Sequence, residues 1–247
     1  MSLKQDTIQD LIDGENMLLA EAKEKYGEYH THALDFGSLL SSFLISIDSD
    51  RFIFAAFLSQ VRKDYFLALF SALRLHHVQA GMNIRQMLES GAWAAYAIGN
   101  PEKEKFTEEI YGILKTPDRL ETARNNWLSQ NYTTGSDSIK NQKGIINKSV
   151  AHASIIYAFK TFRFDAKAGK FETPFFDFED RFHVKTDLWF IANVALGLVD
   201  LFYGINKERN VIKFSPTFVK DLKSLEIVNI RLKKELSKGR SSADPRP

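Results

Sequence analysis

The chain has 247 residues, with 33 Lys and Arg against 31 Asp and Glu, so its formal net charge of +2 lacks the strongly basic balance of a dedicated duplex-DNA binder. It contains no cysteine, which excludes disulfides, cysteine-ligated zinc, iron–sulfur clusters and thiol catalysis together. With 44% hydrophobic and 26% charged residues the length suits one large domain, and the start Met-Ser-Leu-Lys-Gln-Asp has no apolar leader pattern, so a cytoplasmic location is expected.

Gln5 to Glu28 places Ile8, Leu11, Ile12, Leu18, Leu19 and Ala22 at helical spacing, which predicts an amphipathic surface helix. His32 to Ile47 reads as a second, more apolar helix, closed by Asp48-Ser49-Asp50, whose side chains can cap the next. Arg51 to Leu75 is a long aromatic helix with a charged break at Arg62-Lys63-Asp64. Another follows almost without a gap and stops at Gly99-Asn100-Pro101. Glu102 to Ser129 is expected to be helical and surface-like, restarting at Thr116-Pro117-Asp118. Gln130 to Lys148, rich in Asn, Gln, Ser, Thr and Gly, reads as a mobile loop with one helical turn.

Beyond it, Ile155 to Asp165 and Phe171 to Phe178 are aromatic and β-prone, joined by Ala166 to Lys170, the pattern of a hairpin arm. Asp187 or Thr186 is the expected cap of an apolar helix from Leu188 to Asn206. Asn193 and Asp200 interrupt that helix, so it belongs in a core rather than across a membrane. Ser215-Pro216 opens a basic helix running to about Lys238. Together these elements predict an all-α fold, a multi-helix bundle of seven to nine helices with a short β-hairpin after residue 152. One domain is expected over 1–238, with a disordered tail at 239–247.

In the last helix Phe218, Leu222, Leu225, Asn229, Leu232 and Leu236 form a heptad seam with an interior asparagine. The seam either docks on its own domain or makes residues 215–238 a homo-oligomer contact.

Two places combine residues that can carry chemistry. In the helix after His76, one apolar arc holds Ile84, Met87, Leu88, Ala92, Ala95 and Ile98 with His77 inside it, and Arg85 and Glu89 lie on its flank. One helical turn apart, these two are expected to form a partly buried ion pair. The second place is Ser149 and His152, a hydroxyl and an imidazole three residues apart, next to Lys148. Arg85, Glu89 and His152 are therefore the candidate catalytic residues, with His77, Lys148 and Ser149 as binding residues. An arginine holding an anion bidentately while an imidazole moves a proton suits phosphodiester chemistry without a metal. A structural ion pair tying the central helices together is the alternative.

Asp177, Glu179, Asp180, His183 and Asp187 cluster in sequence but show neither His-Glu-x-x-His nor EF-hand spacing, so no metal or other cofactor is expected. Glycine-rich phosphate loops are absent as well. On the hairpin arm, Lys160, Arg163, Lys167 and Lys170 interleave with Phe159, Phe162, Phe164 and Phe171, a pattern that makes single-stranded RNA a candidate partner.

The run His77-x-x-Ala80-x4-Arg85-x3-Glu89, with the later Ser149-x-x-His152, resembles uncharacterised bacterial helical-bundle proteins distantly similar to the HEPN superfamily, over about Phe52 to His152. That resemblance implies a bundle, often dimeric, acting either as a metal-independent endoribonuclease or as a non-catalytic binder. The superfamily's ribonuclease motif has an arginine four to six residues before a histidine, whereas the window before His152 holds Ile146, Asn147 and Lys148. Lysine replaces the charge of that arginine but not its bidentate geometry. The expected function is thus binding or regulation at a polar site of Arg85, Glu89 and His152. The alternatives are an endoribonuclease, with His152 as general acid or base, and an oligomeric scaffold using the C-terminal helix.

Overall fold

The computed structural model describes residues 7–149, 163–165, 170–172 and 175–242. Eight α-helices lie among them: α1 (Ile8–Tyr26), α2 (Glu28–Ser42), α3 (Phe52–Leu73), α4 (His77–Gly99), α5 (Asp118–Asn131), α6 (Thr133–Ser149), α7 (Arg181–Arg209) and α8 (Phe218–Ser242). Three short antiparallel pairs accompany them: β1 (Leu44–Ile47) with β6 (Ile212–Phe214), β2 (Glu108–Ile110) with β3 (Ile113–Lys115), and β4 (Arg163–Asp165) with β5 (Lys170–Glu172). The all-α bundle expected from the periodicity is present, and β4–β5 is the hairpin expected after residue 152.

The centre is α4 between α3 and α7. Its second half, Gly-Ala-Trp-Ala-Ala-Tyr-Ala-Ile, carries no charge, and every residue from Ser90 to Ile98 is buried. Small side chains let the neighbouring backbones come close: a Cβ on Gly91 would sit 2.5 Å from a methyl of Leu198 on α7. Gly91→Ala is therefore expected to lose about 2 kcal/mol through overpacking, a fall of roughly 6 °C in thermal midpoint, which a melt followed by circular dichroism would measure.

The α3–α4 contact also encloses a carboxylate. Asp64 is 3% exposed, accepts from Gln60 Nε2 at 2.9 Å and from Ser90 Oγ at 3.5 Å, and is raised above the ordinary aspartate range by burial. A raised folded-state pKa means that the fold favours the protonated acid. Stability associated with Asp64 is thus fully present below the unfolded value of about 4 and declines as pH climbs through the raised folded one. Asp64→Asn keeps the shape and removes the charge. It is expected to raise the urea midpoint at pH 7 and to give no gain at pH 3.

Three elements depart from the sequence expectation. The helix expected over His32 to Ile47 ends at Ser42, and Leu44–Ile47 instead pairs with Ile212–Phe214. Leu-Ile-Ser-Ile is β-prone, and its partner strand is delivered by the turn after α7, where Asn210 takes the left-handed conformation at φ 53°. The surface helix expected from Glu102 breaks into the β2–β3 hairpin, whose turn residues Tyr111 and Gly112 both have positive φ, at 54° and 76°. Paired positive φ values match the right-handed twist of a two-residue hairpin. The loop expected over Gln130 to Lys148 is α6: Ser136, Ile139 and Ile146 fall on one buried stripe, and the remaining polar residues face solvent or a pocket.

α7 starts at Arg181, five residues before Thr186 and six before Asp187, its two expected caps. Asp180 is the cap, and one of its carboxylate oxygens accepts from the backbone N–H groups of Phe182 and His183 at 2.9 and 3.3 Å. By length and composition α7 could cross a membrane, and 56% of its most apolar window is buried inside the protein, where Leu188, Ile191, Leu198 and Phe202 form the core.

α8 runs to Ser242, past the boundary expected at 238. Its seam turns inward, with Phe218, Leu222, Asn229 and Leu232 buried. Asn229 donates to Asn193 Oδ1 at 2.9 Å, and its Oδ1 lies 3.2 Å from His32 Nε2. The heptad spacing therefore docks this helix on α2 and α7 of its own chain, and the register-fixing asparagine works within the domain.

Candidate functional site

α5 presents Leu120, Arg124 and Leu128 to the core, four residues apart, so the helix that buries two leucines also buries an arginine. Arg124 is 1% exposed. Its guanidinium lies over the Trp93 ring with Cζ 4.4 Å from the centroid, a cation–π contact made strong by desolvation. Nε and Nη2 donate to Asn125 Oδ1 at 3.1 and 3.0 Å, and Nη2 reaches Glu89 Oε2 at 3.4 Å. Nη1 is buried and has no hydrogen-bond partner among the described residues.

The other Glu89 oxygen, Oε1, is taken by Lys143 Nζ from α6. Glu89, Arg124 and Lys143, with Asn125, Lys140 and Asn147, line a cavity of about 260 Å³ between α4, α5 and α6. Three cations against one carboxylate leave an excess of positive charge in a partly desolvated space. Burial pushes the Arg124 guanidinium below its usual pKa and Glu89 pulls it back; an arginine nevertheless stays charged at neutral pH. A buried cation with an unused N–H calls for an acceptor. Such a pocket can bind an anion, and none of its described lining residues is a histidine.

The residues singled out by sequence are distributed differently from expectation. Glu89 is in the pocket. Arg85, one turn before it, is half-buried and has no ion-pair partner among the described residues, so the expected Arg85–Glu89 pair is replaced by Arg124–Glu89 and Lys143–Glu89. Each Glu89 oxygen is instead held by a cation from a neighbouring helix. His77 is buried at the other end of α4, its Nδ1 2.5 Å from Asp187 Oδ2. Lys148 is exposed on α6. Ser149 ends α6; its side chain and the whole of His152 lie outside the described residues, as do Phe159, Lys160, Phe162 and Lys167 of the arm.

The acidic cluster is divided among separate tasks. Asp177 accepts from the His77 backbone N–H at 2.8 Å, Glu179 binds Lys25 Nζ at 2.8 Å and the Tyr26 hydroxyl at 3.2 Å, and Asp180 caps α7.

Arg124 is the residue that sequence reasoning missed. The signal was available, because an arginine midway between Leu120 and Leu128 interrupts an apolar stripe just as Arg85 interrupts that of α4. Fold and site together define a mostly helical bundle with a net cationic pocket built by three of its helices. Comparison with protein-family models, with curated proteins and with solved structures gives no match.

Proposed function

We propose that this chain is a binding protein whose pocket between α4, α5 and α6 takes a phosphate or phosphodiester group. The observation that carries this reading is Arg124, 1% exposed, with Nη1 unpartnered among the described residues and two lysines lining the same space. Oriented N–H donors on a planar guanidinium match the oxygens of a phosphate, and the low local dielectric strengthens the contact. Glu89 holds Arg124 and Lys143 in place, and Trp93 supports the guanidinium from one face. At about 260 Å³ the cavity suits the charged group of a ligand rather than a large ligand entire.

A metal-independent endoribonuclease is the second reading. It is favoured by the course of α6, which supplies Lys140, Lys143 and Asn147 to the pocket and ends at Ser149, three residues before His152 in the chain.

One titration addresses both. Calorimetry with inorganic phosphate, a mononucleotide and a single-stranded oligoribonucleotide, each in EDTA, compares the protein with Arg124→Met. Saturable binding weakened at least about 10-fold in the variant supports the pocket, since a charged hydrogen bond is worth roughly that factor. Equal affinity in both proteins, or no binding of any of the three, removes it. Cleavage of the oligoribonucleotide, lost in His152→Ala, transfers the reading to the nuclease.

A further inference from the structure

At the opposite end of α4 a second cluster has a different chemistry. His77, His183 and Asp187 each offer one donor atom within 4.8 Å of the other two. His77 is the first residue of α4, and the Asp177 carboxylate holds its backbone N–H at 2.8 Å. His183 and Asp187 are one turn apart on α7, just after the Asp180 cap, so they share a helix face. Both helix starts are thus pinned by an aspartate, and the three side chains meet where α4 and α7 begin. The two imidazoles pack edge to face with centroids 4.6 Å apart, and His77 Nδ1 lies 2.5 Å from Asp187 Oδ2.

All three residues line one cavity of about 470 Å³ that also exposes Ile84, Trp189 and Phe190. Its wall is otherwise largely apolar, with Gln142, Thr186, Asn193 and Lys233 as polar groups.

We infer that His77, His183 and Asp187 are a binding site for one divalent transition-metal ion, held by two imidazoles and a carboxylate, with at least one coordination position open to the apolar cavity. Two nitrogen donors favour zinc, iron, cobalt or nickel over magnesium and calcium, which take oxygen ligands. Three protein ligands leave the fourth tetrahedral position, or three octahedral ones, for water or a bound molecule. Donor atoms about 2.1 Å from a metal and roughly 90° apart stand about 3 Å from one another, so small side-chain rotations within the observed cluster suffice.

The site is distinct from the cationic pocket. Glu89 lies twelve positions after His77 on α4, about 18 Å along the helix axis. Either site can therefore fail without the other.

Chelator-treated full-length protein titrated with Co(II) tests the inference, because visible d–d absorption reports nitrogen and oxygen ligation directly, and Zn(II) calorimetry supplies the stoichiometry. One equivalent is expected, bound at least about 100-fold more weakly in His183→Ala and in Asp187→Asn, and unchanged in His30→Ala, which removes an imidazole on α2. His183→Gln, similar in volume, serves where the alanine variant loses its circular dichroism. Absence of saturable Co(II) and Zn(II) uptake by the parent protein overturns the inference, and so does uptake equally strong in the Asp187 and His183 variants.

Discussion

Glu89→Ala is expected to destabilise the fold by about 3 kcal/mol, the size typical of removing one partner from a desolvated ion pair. The carboxylate accepts from Arg124 Nη2 and from Lys143 Nζ, so its loss leaves a 1% exposed guanidinium with Asn125 as its one remaining side-chain acceptor among the described residues. Lys143 can turn toward solvent. Arg124 cannot follow, because its guanidinium is stacked on Trp93 beneath α5. Two companion results are expected. Glu89→Ala/Arg124→Leu should recover part of the loss, since replacing both members of a buried pair with apolar groups is far milder than orphaning one. Phosphate should stabilise Glu89→Ala more than the parent, because an anion seated on Arg124 binds the folded state and supplies the missing charge. Urea melts with and without phosphate measure all three. A loss well below 1 kcal/mol in Glu89→Ala would mean that Arg124 is already compensated elsewhere.

This pair also shows how far the sequence could be read. The apolar arc of α4 was legible, and so was the abnormality of a glutamate on its flank: Glu89 lines the cavity and contacts two of its cations. Its partner was assigned to the nearest cation on the same helix, Arg85, because an i, i+4 spacing is the one ion pair that a linear sequence displays. Tertiary packing instead brought Arg124 from 35 residues away. The same limit applies to the second cluster. His183 and Asp187 were visible as neighbours and His77 as a buried histidine, yet nothing local states that the first turns of α4 and α7 coincide.

Helix existence followed hydrophobic period, and the exceptions are instructive. α6 has a narrow stripe, Ser136, Ile139 and Ile146, and so few apolar residues that its composition resembles a loop. Its polar face is polar because it lines a pocket. The very feature that makes α6 part of the candidate site weakened its helical signal. The β1 strand failed for a different reason: Leu-Ile-Ser-Ile continues the apolar content of α2, and only its pairing with Ile212–Phe214 distinguishes a short strand from a last helical turn.

Deleting residues from Phe218 onward is expected to abolish cooperative folding, which separates the docked reading of the heptad seam from a seam reserved for another copy. Phe218, Leu222 and Leu232 are 1%, 7% and 0% exposed, and each removes about 1.5–3 kcal/mol of burial when lost. Phe218 stacks on Phe214 with centroids 4.5 Å apart and touches Phe43 and Tyr203, so its absence uncovers an aromatic cluster at the β1–β6 pair. Polar losses add to this. Tyr29 would lose the Leu232 carbonyl it donates to at 3.1 Å, Trp189 the Asn229 carbonyl at 3.0 Å, and His32 and Asn193 their bonds to the Asn229 side chain. Buried donors and acceptors left without partners cost about 1–3 kcal/mol each. Together these terms come to roughly 8–21 kcal/mol, as large as the whole stability of about 5–15 kcal/mol that domains ordinarily have. The truncated chain should therefore be insoluble or lack a sharp thermal transition. A soluble truncated protein that keeps its near-ultraviolet circular dichroism, with its mass lowered from oligomer to monomer, would instead assign the seam to a second copy.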